Sequence, residues 1–391
     1  MQALTRLAPV AIVPAVAAAL AFAAPAAFAA TTATAPATAA ATHGSHVSAS
    51  SAVFVMTDNT AGNSVAAYHR ASDGTLTHAG TYYTHGAGGV LSGSVVDHTA
   101  SQGALTYDPA SGLLFAVNAG SNNVSVFKVW GDHLKLSQVI WSGGDFPVSV
   151  TVHGNHAYVL NALGGGTLSG YRISGGWVTP IHGSSRSLGL GTTASTAFTA
   201  TPGQVAFSPD GKALFVTTKG STNAVDVFGV HWDGTLSAAP TVNTLTGDVP
   251  FAVAFDQSGH VLVTEAGPNA VATFKLRSSG VLKQLAVADT GQMATCWVVR
   301  DGQRFYASNA GSGSVSGYAT GASGSLKALG NTTTDAGTVD AAAAGDGQFL
   351  YVQTGKSGIV DEFAVGAHGA LTSIGSVTVA GSVGGEGIAA S

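Results

Sequence analysis

A short unit recurs seven times along this chain, and no other feature restricts its fold as strongly. It is a β-branched strand closing on an aromatic, then a glycine turn, then an aliphatic residue. Val225-Asp226-Val227-Phe228 followed by Asp233-Gly234-Thr235-Leu236 is the clearest copy. The aromatic recurs at Tyr68, Phe127, Tyr171, Phe228, Phe274, Tyr318 and Phe363. The turn recurs at Gly74/Leu76, Gly176/Val178, Gly234/Leu236, Gly280/Leu282, Gly324/Leu326 and Gly369/Leu371, with Asp132 before Leu134 in the second copy. Such self-similarity fixes the architecture before any single residue does, because each unit can bury its apolar face only against its neighbours.

Two further strands precede each copy. Strand b carries an apolar core such as Leu214-Phe215-Val216 or Leu350-Tyr351-Val352, and the aromatic-ended strand is strand c. Before most copies of b comes a tight turn of the Ser208-Pro209-Asp210-Gly211 kind, the residues a reversal needs. Before that runs a small-residue strand a, such as Val205 to Phe207, and strand d follows the glycine turn, as in Leu236 to Pro240. The reading is an all-β fold over 52–391, a seven-bladed β-propeller of four-stranded antiparallel blades. The chain enters at Ala52-Val53 on strand b and leaves through Gly387-Ile388-Ala389-Ala390, a strand a with nothing after it. The C-terminal strand is therefore expected to join the N-terminal blade and close the ring, which removes free sheet edges.

Composition agrees. Glycine supplies 53 of 391 residues and only 35 are charged (15 Lys and Arg with 20 Asp and Glu), a profile of turns and strands rather than helices. The net charge of −5 offers no basic surface for nucleic acid or an anionic membrane. Cys296 is the single cysteine, so no intramolecular disulfide forms, and its setting in Cys296-Trp297-Val298-Val299 reads as a small buried hydrophobe. Residues 1–29 read as a secretory signal: Arg6, an apolar run from Leu7 to Ala24, and Ala27-Phe28-Ala29 before a cut at Ala30. Residues 30–51 read as an Ala/Thr/Ser-rich disordered leader. No later apolar run is long enough to span a membrane, so the mature chain is expected to be a secreted, periplasmic or cell-surface monomer.

The strand c aromatics lie 44 to 46 residues apart except between Tyr68 and Phe127 (59) and between Tyr171 and Phe228 (57). Both excesses, about 86–102 and 182–202, fall between strands d and a. Because strands alternate, d–a and b–c connections share one face, and that face is expected to carry function. Two polar columns meet there: Gln204, Ala252, Thr295, Asp340 and Glu386 where strand a begins, and Thr57, Asn118, Asn161, Thr218, Glu265, Asn309 and Thr354 where strand b ends. The candidate acid/base residues are Glu265, Asp340 and Glu386, which mutual repulsion would push up in pKa if they approach one another. Gln204, Thr295, Asn118, Asn161 and Asn309 are candidate substrate contacts, and Lys219 a candidate for a carboxylate or oxyanion. Equally, the acids can cap loops by accepting backbone N–H bonds. Asp97-His98 is the one acid–histidine dipeptide on this face, and no histidine spacing matches a metal site.

Taken in order, the blades resemble the lactonase family of seven-bladed propellers, which includes bacterial 6-phosphogluconolactonases and fungal carboxymuconate-cyclising enzymes. The resemblance rests on Gln204 to Gly211 and on Asn118-Ala119-Gly120-Ser121-Asn122-Asn123-Val124-Ser125-Val126-Phe127. It implies a glutamate after a strand b, matched by Thr264-Glu265-Ala266. The family's Gly-Pro-Arg-His and Pro-His-x-His stretches read here Asp248-Val249-Pro250-Phe251 and Thr201-Pro202-Gly203-Gln204, so its catalytic Arg and His are not retained. A sugar phosphate is thereby disfavoured as substrate. Three expectations follow. One is an exported lactonase-like hydrolase of a cyclic ester that needs no cofactor, and another a non-catalytic propeller binding a glycan, peptide or protein. The third is a Ca²⁺-assisted gluconolactonase-type hydrolase holding the ion through Glu265, Asn161 and Asp340.

Overall fold

The recurring glycine earns its place where blades touch. The structure, a computed structural model, describes residues 51–391. The expected signal (1–29) and all but the last residue of the expected leader (30–51) lie outside the described residues. Gly74, Gly234, Gly324 and Gly369 all have positive φ, between +79° and +89°. A Cβ on Gly74 would sit 2.2 Å from the Phe349 ring of the neighbouring blade. The same turns receive that neighbour's polar groups: Tyr351 Oη donates to Gly74 O (2.7 Å), Tyr158 to Gly234 O (2.6 Å) and Tyr306 to Gly369 O (3.0 Å). Each turn thus needs a left-handed backbone and a missing side chain at once, which only glycine provides.

Seven antiparallel sheets result. Blade 5 shows the plan: strand a Pro250–Phe255, b His260–Glu265, c Ala270–Leu276 and d Leu282–Asp289. Blades 2, 3, 4, 6 and 7 occupy 105–141, 147–187, 204–244, 295–333 and 338–378. Blade 1 takes strands b, c and d from 52–83 and strand a from Ile388–Ala390. Val53 pairs with Ala390, Phe54 with Ala389 and Val55 with Ile388, so the ring closes through its C-terminal strand as the sequence implied. In five blades the c–d register shifts by one residue just before the strand c aromatic, as between Thr273 and Phe274. That bulge re-aims the ring into the space between blades. The interblade layers are apolar, with Phe215 and Phe255 packed edge to face at 5.2 Å.

Two outer strands differ from the plan. The stretch Leu236 to Pro240 was expected to be strand d of blade 4, but only Leu236 forms a bridge, to Val230, and the strand runs Thr241–Thr244. Pro240 has no N–H to give the ladder, so the chain bows outward, and the Ser237 hydroxyl bonds to Ala239 O instead (2.9 Å). In blade 3 strand d stops at Pro180, and Arg186–Ser187, from the second insertion, pairs with the other half of strand c. The rest of that insertion ends in a short helix, Ala197–Ala200. No helix of the described residues is long and apolar enough to cross a membrane.

Closure gives the first test. Deleting residues 388–391 removes the pairs to Val53, Phe54 and Val55 and bares the edge of blade 1. Size-exclusion chromatography is expected to show the wild-type peak replaced by aggregate; a truncated chain that elutes as wild type with an unchanged unfolding midpoint would contradict a closure-dependent ring.

Candidate functional site

The first insertion crosses the propeller axis. Its residues 96–102 contact strands or loops of the blades all round the ring. Val96 packs on the cluster of Phe251, Trp297 and Val339, and His98 N–H donates to Gly384 O (2.7 Å). Ser101 Oγ donates to Val148 O (2.8 Å), and Trp297 Nε1 donates to Ser101 O. The Gln102 amide exchanges two bonds of 2.8 Å with Val298, and Gln102 N–H donates to Gly203 O (3.0 Å). The channel mouth on the long-loop face is therefore filled by the protein's own chain.

At its centre lie three ionisable side chains removed from water: Asp97 and Glu386, each 0% exposed, and Lys219 at 2%. Glu386 Oε1 accepts from Ser101 N–H (3.1 Å) and from the hydroxyls of Thr99 and Ser101. Among the described residues the Asp97 carboxyl has no side-chain hydroxyl or amide partner. Burial first, then the Asp97 charge and the hydrogen bond to it, holds Glu386 protonated well above the usual carboxylate range. The two carboxyls thus form a pair with one proton between them. Burial raises Asp97 as well, opposed by that hydrogen bond and by the Lys219 charge.

Lys219 Nζ donates to Ala100 O (2.7 Å), Phe198 O (3.0 Å) and Thr201 Oγ1 (3.2 Å) and lies 5.5 Å from the centre of the Phe251 ring. Lys219, expected to meet a ligand's carboxylate or oxyanion, has Asp97 and Glu386 as charged neighbours, and its donors tie both insertions to blade 4. Burial lowers it to about 8. Ala100 adopts φ +49°, a left-handed turn in the segment whose carbonyl meets the ammonium. At the edge, His98 Nδ1 approaches Asp58 Oδ2 (3.4 Å), which raises the imidazole, while burial raises Asp58 to about 6. Burial, then Asp97, pushes the Cys296 thiol up, so it is no thiolate nucleophile.

The other expected site residues are dispersed. Asp340 lines the axial channel below the crossing segment, a cavity of about 350 Å³ shared with Gln102, Gln204 and Thr106. Burial raises Asp340 to about 7 although Ala341 N–H bonds to its Oδ1 (2.9 Å). Glu265 sits at the end of strand b of blade 5, opposite Pro250, and makes no side-chain hydrogen bond among the described residues. Burial and then the Asp248 charge raise it to about 7. No hydrogen bond or charge contact joins Glu265, Asp340 and Glu386 to one another; the partner that Glu386 does have is Asp97.

The amide column is turned inward. Asn118 Nδ2 donates to Asn123 Oδ1 (2.7 Å) and Ser125 Oγ (2.8 Å), and Asn309 Nδ2 donates to Ser316 Oγ (2.9 Å) while accepting from Thr295 Oγ1 (2.6 Å). Asn161 Nδ2 donates to Ser142 O (3.1 Å), and Gln204 Oε1 accepts from Val253 N–H (2.6 Å). These groups brace b–c loops and neighbouring strands. Among the described residues no group of three His, Cys, Asp or Glu stands close enough to hold a metal. Sequence reasoning missed Thr99, Ser101, Gln102 and the role of Asp97; the Asp97-His98 dipeptide inside the longer insertion was the available signal.

Residues 263–386 match the family described as Lactonase, 7-bladed beta-propeller. The match spans about a third of the chain, blades 5 to 7. A search of curated protein sequences returns no match. Among solved structures, a candidate 6-phosphogluconolactonase from Bacteroides fragilis aligns with a TM-score of 0.68 at 18% identity, covering 89% of this chain and 100% of that one. The periplasmic gluconolactonase PpgL of Pseudomonas aeruginosa aligns with a TM-score of 0.68 at 20% identity, covering 84% and 96%. A Lactobacillus plantarum protein aligns at 0.69 and 19%, covering 87% and 99%. At these identities the likeness establishes the seven-bladed propeller fold.

Buried carboxyls with raised pKa make this propeller's stability depend on pH. Glu386, Asp97, Asp340 and Glu265 bind protons more tightly folded than unfolded, so unfolding releases protons. Their contribution is fully present below the ordinary carboxylate range and declines as pH rises through about 7. Lys219, lowered to about 8, acts in the opposite sense only above that pH. Urea unfolding from pH 5 to pH 8 is expected to give a falling midpoint, and Asp97→Asn a shallower fall. Parallel slopes for the two proteins would contradict the shared proton.

Proposed function

We propose that this chain is exported through residues 1–29 and works outside the cytoplasm as a ligand-binding propeller of the lactonase fold. One observation carries the reading. Residues 96–102 fill the channel mouth and leave Glu386 without exposed surface, its Oε1 already accepting from Thr99 and Ser101. A general acid or base must come within hydrogen-bond reach of the reacting group, directly or through one water. A lactone carbonyl has no such approach to Glu386. The inward-turned amides of Asn118, Asn161 and Asn309 support the same reading, as does the replacement of the family's Arg and His by Val249-Pro250-Phe251 and Gly203-Gln204.

A second reading, hydrolysis of a lactone, is favoured by Glu265 alone. A carboxyl raised to about 7, with no hydrogen bond among the described residues, is poised to take a proton from water as that water attacks a ring carbonyl. The ring C–O bond then breaks and the alkoxide takes up a proton, giving the hydroxy acid. The Ca²⁺-assisted variant would ask Glu265, Asn161 and Asp340 to share one ion. The Asn161 amide is turned to Ser142 O, and no charge contact joins Glu265 to Asp340, which weighs against it.

A lactone panel including aldonolactones, run with wild type and Glu265→Gln and with EDTA or added Ca²⁺, separates the readings. The expected outcome is equal, background-level hydrolysis by both proteins under both conditions. Turnover by wild type that Glu265→Gln abolishes, rising with pH through about 7, would overturn the binding reading; turnover restored by Ca²⁺ after EDTA would favour the metal-assisted one.

A further inference from the structure

Three adjacent blades carry a tryptophan at the tip of the c–d turn. Trp130 stands on blade 2, Trp177 on blade 3 and Trp232 on blade 4, exposed by 56%, 57% and 93%. The tips of the other four blades read Ala71-Ser72-Asp73-Gly74, Arg277-Ser278-Ser279-Gly280, Gly321-Ala322-Ser323-Gly324 and Gly366-Ala367-His368-Gly369. Those small and polar residues are what the reversal requires. An indole contributes nothing to the turn, and no hydrogen bond among the described residues engages these three indole N–H groups. All c–d turns lie on one face, opposite the long insertions, so the three rings form an arc along one side of its rim.

The surroundings of the arc select its partner. Trp130 is followed by Asp132 and His133, with Asp132 3.3 Å from the His69 ring. Trp232 lies between His231 and Asp233, and Arg172 donates to Asp233 O (2.8 Å). Carboxylates and imidazoles thus stand beside the indoles on a chain of net charge −5. Arg172, Lys212 and Arg277 stand on the same rim, so its charge is mixed and offers no single-sign field of the kind an anionic lipid surface selects. Pyranose rings instead match it: their C–H faces stack on indole, and their hydroxyls bond to carboxylate, imidazole and indole N–H. Where the arc reaches blade 5 the aromatic is replaced by a cleft of about 540 Å³ between blades 4 and 5. Phe228 and Leu276 line it together with Ser237, Ser278, Arg277 and Lys212, where Pro240 bows the outer strand away.

We infer that this arc is a binding surface for a neutral polysaccharide, with Trp130, Trp177 and Trp232 as stacking platforms. The inference rests on the binding reading above and assigns that binding to the face opposite the long insertions. The test is co-sedimentation of the mature protein with insoluble cellulose, chitin and β-1,3-glucan, beside phosphatidylcholine/phosphatidylglycerol vesicles, with size-exclusion chromatography of the same samples. Wild type is expected to sediment with at least one polysaccharide. The triple variant Trp130→Ser/Trp177→Ser/Trp232→Ser is expected to lose affinity at least about tenfold with an unchanged circular dichroism spectrum. Trp141→Ser, at an exposed indole on the other end of an outer strand, is expected to bind as wild type. Retained binding by the triple variant, or sedimentation with no polysaccharide, overturns the inference while leaving the binding reading to other ligands. Tryptophan-dependent binding to vesicles alone, or a dimer that the triple variant abolishes, overturns it in favour of a lipid surface or a second copy. Lactone turnover through Glu265 would instead sink the underlying reading, whatever the polysaccharides show.

Discussion

A lysine and two carboxyls held out of water on the propeller axis are the constraint on which the long-loop face depends. An ammonium as buried as Lys219 is tolerable only if its protons are all satisfied and a negative charge lies near. Both conditions are met by chain segments far apart in sequence: Ala100 from the first insertion, Phe198 and Thr201 from the second, and the Asp97–Glu386 pair with its shared proton. Removing Lys219 would leave the carboxyl pair without its counter-charge. The cluster therefore fixes where both insertions go, and in doing so it closes the mouth from which a propeller of this fold would reach a substrate.

The blades beneath are held by a different and more local device. At the c–d tips of blades 1, 4 and 7 a glycine lets the neighbouring blade's side chain and hydroxyl come to the backbone, so the interblade approach there depends on the absent Cβ. These interblade contacts and the closing strand Ile388–Ala390 hold the ring together. This division leaves the two faces free to differ. One face is sealed by a polar cluster. The other keeps an open channel with Asp340 and Gln204 on its wall, a cleft between blades 4 and 5, and an arc of exposed indoles.

Much of the architecture was legible because it repeats. The aromatic of strand c and the glycine after it recur with nearly constant spacing, so blade number, strand order and closure could all be read from local pattern. Blade 4's outer strand was misplaced because Pro240 breaks the ladder inside a stretch that otherwise reads as a strand. The site was harder. Glu386 stood out as an acid in a neutral column, but its role is set by Asp97, nearly three hundred residues away in a non-repeating insertion. A sequence pattern does not say whether a carboxyl at a channel mouth faces solvent or another carboxyl. Asn118, Asn161 and Asn309 looked like ligand contacts for the same reason; polar residues at strand ends serve loops as readily as substrates. The tryptophans at three of seven tips were visible in the repeat, but they lie on the face with short connections, where length alone drew no attention.

Hydrogen exchange of the backbone amides at 98–102, followed by mass spectrometry in the native protein, tests most directly whether the first insertion seals the axis. Ser101 N–H on Glu386, His98 N–H on Gly384 and Gln102 N–H on Gly203 should exchange as slowly as the inner strands, because they open only when the cluster does. Lys219→Met should speed this segment selectively while leaving the strands of blades 5 to 7 protected. Fast exchange of 98–102 in the wild-type protein, at the rate of an exposed loop, would contradict the closed axis and return the channel mouth to candidacy as a catalytic site.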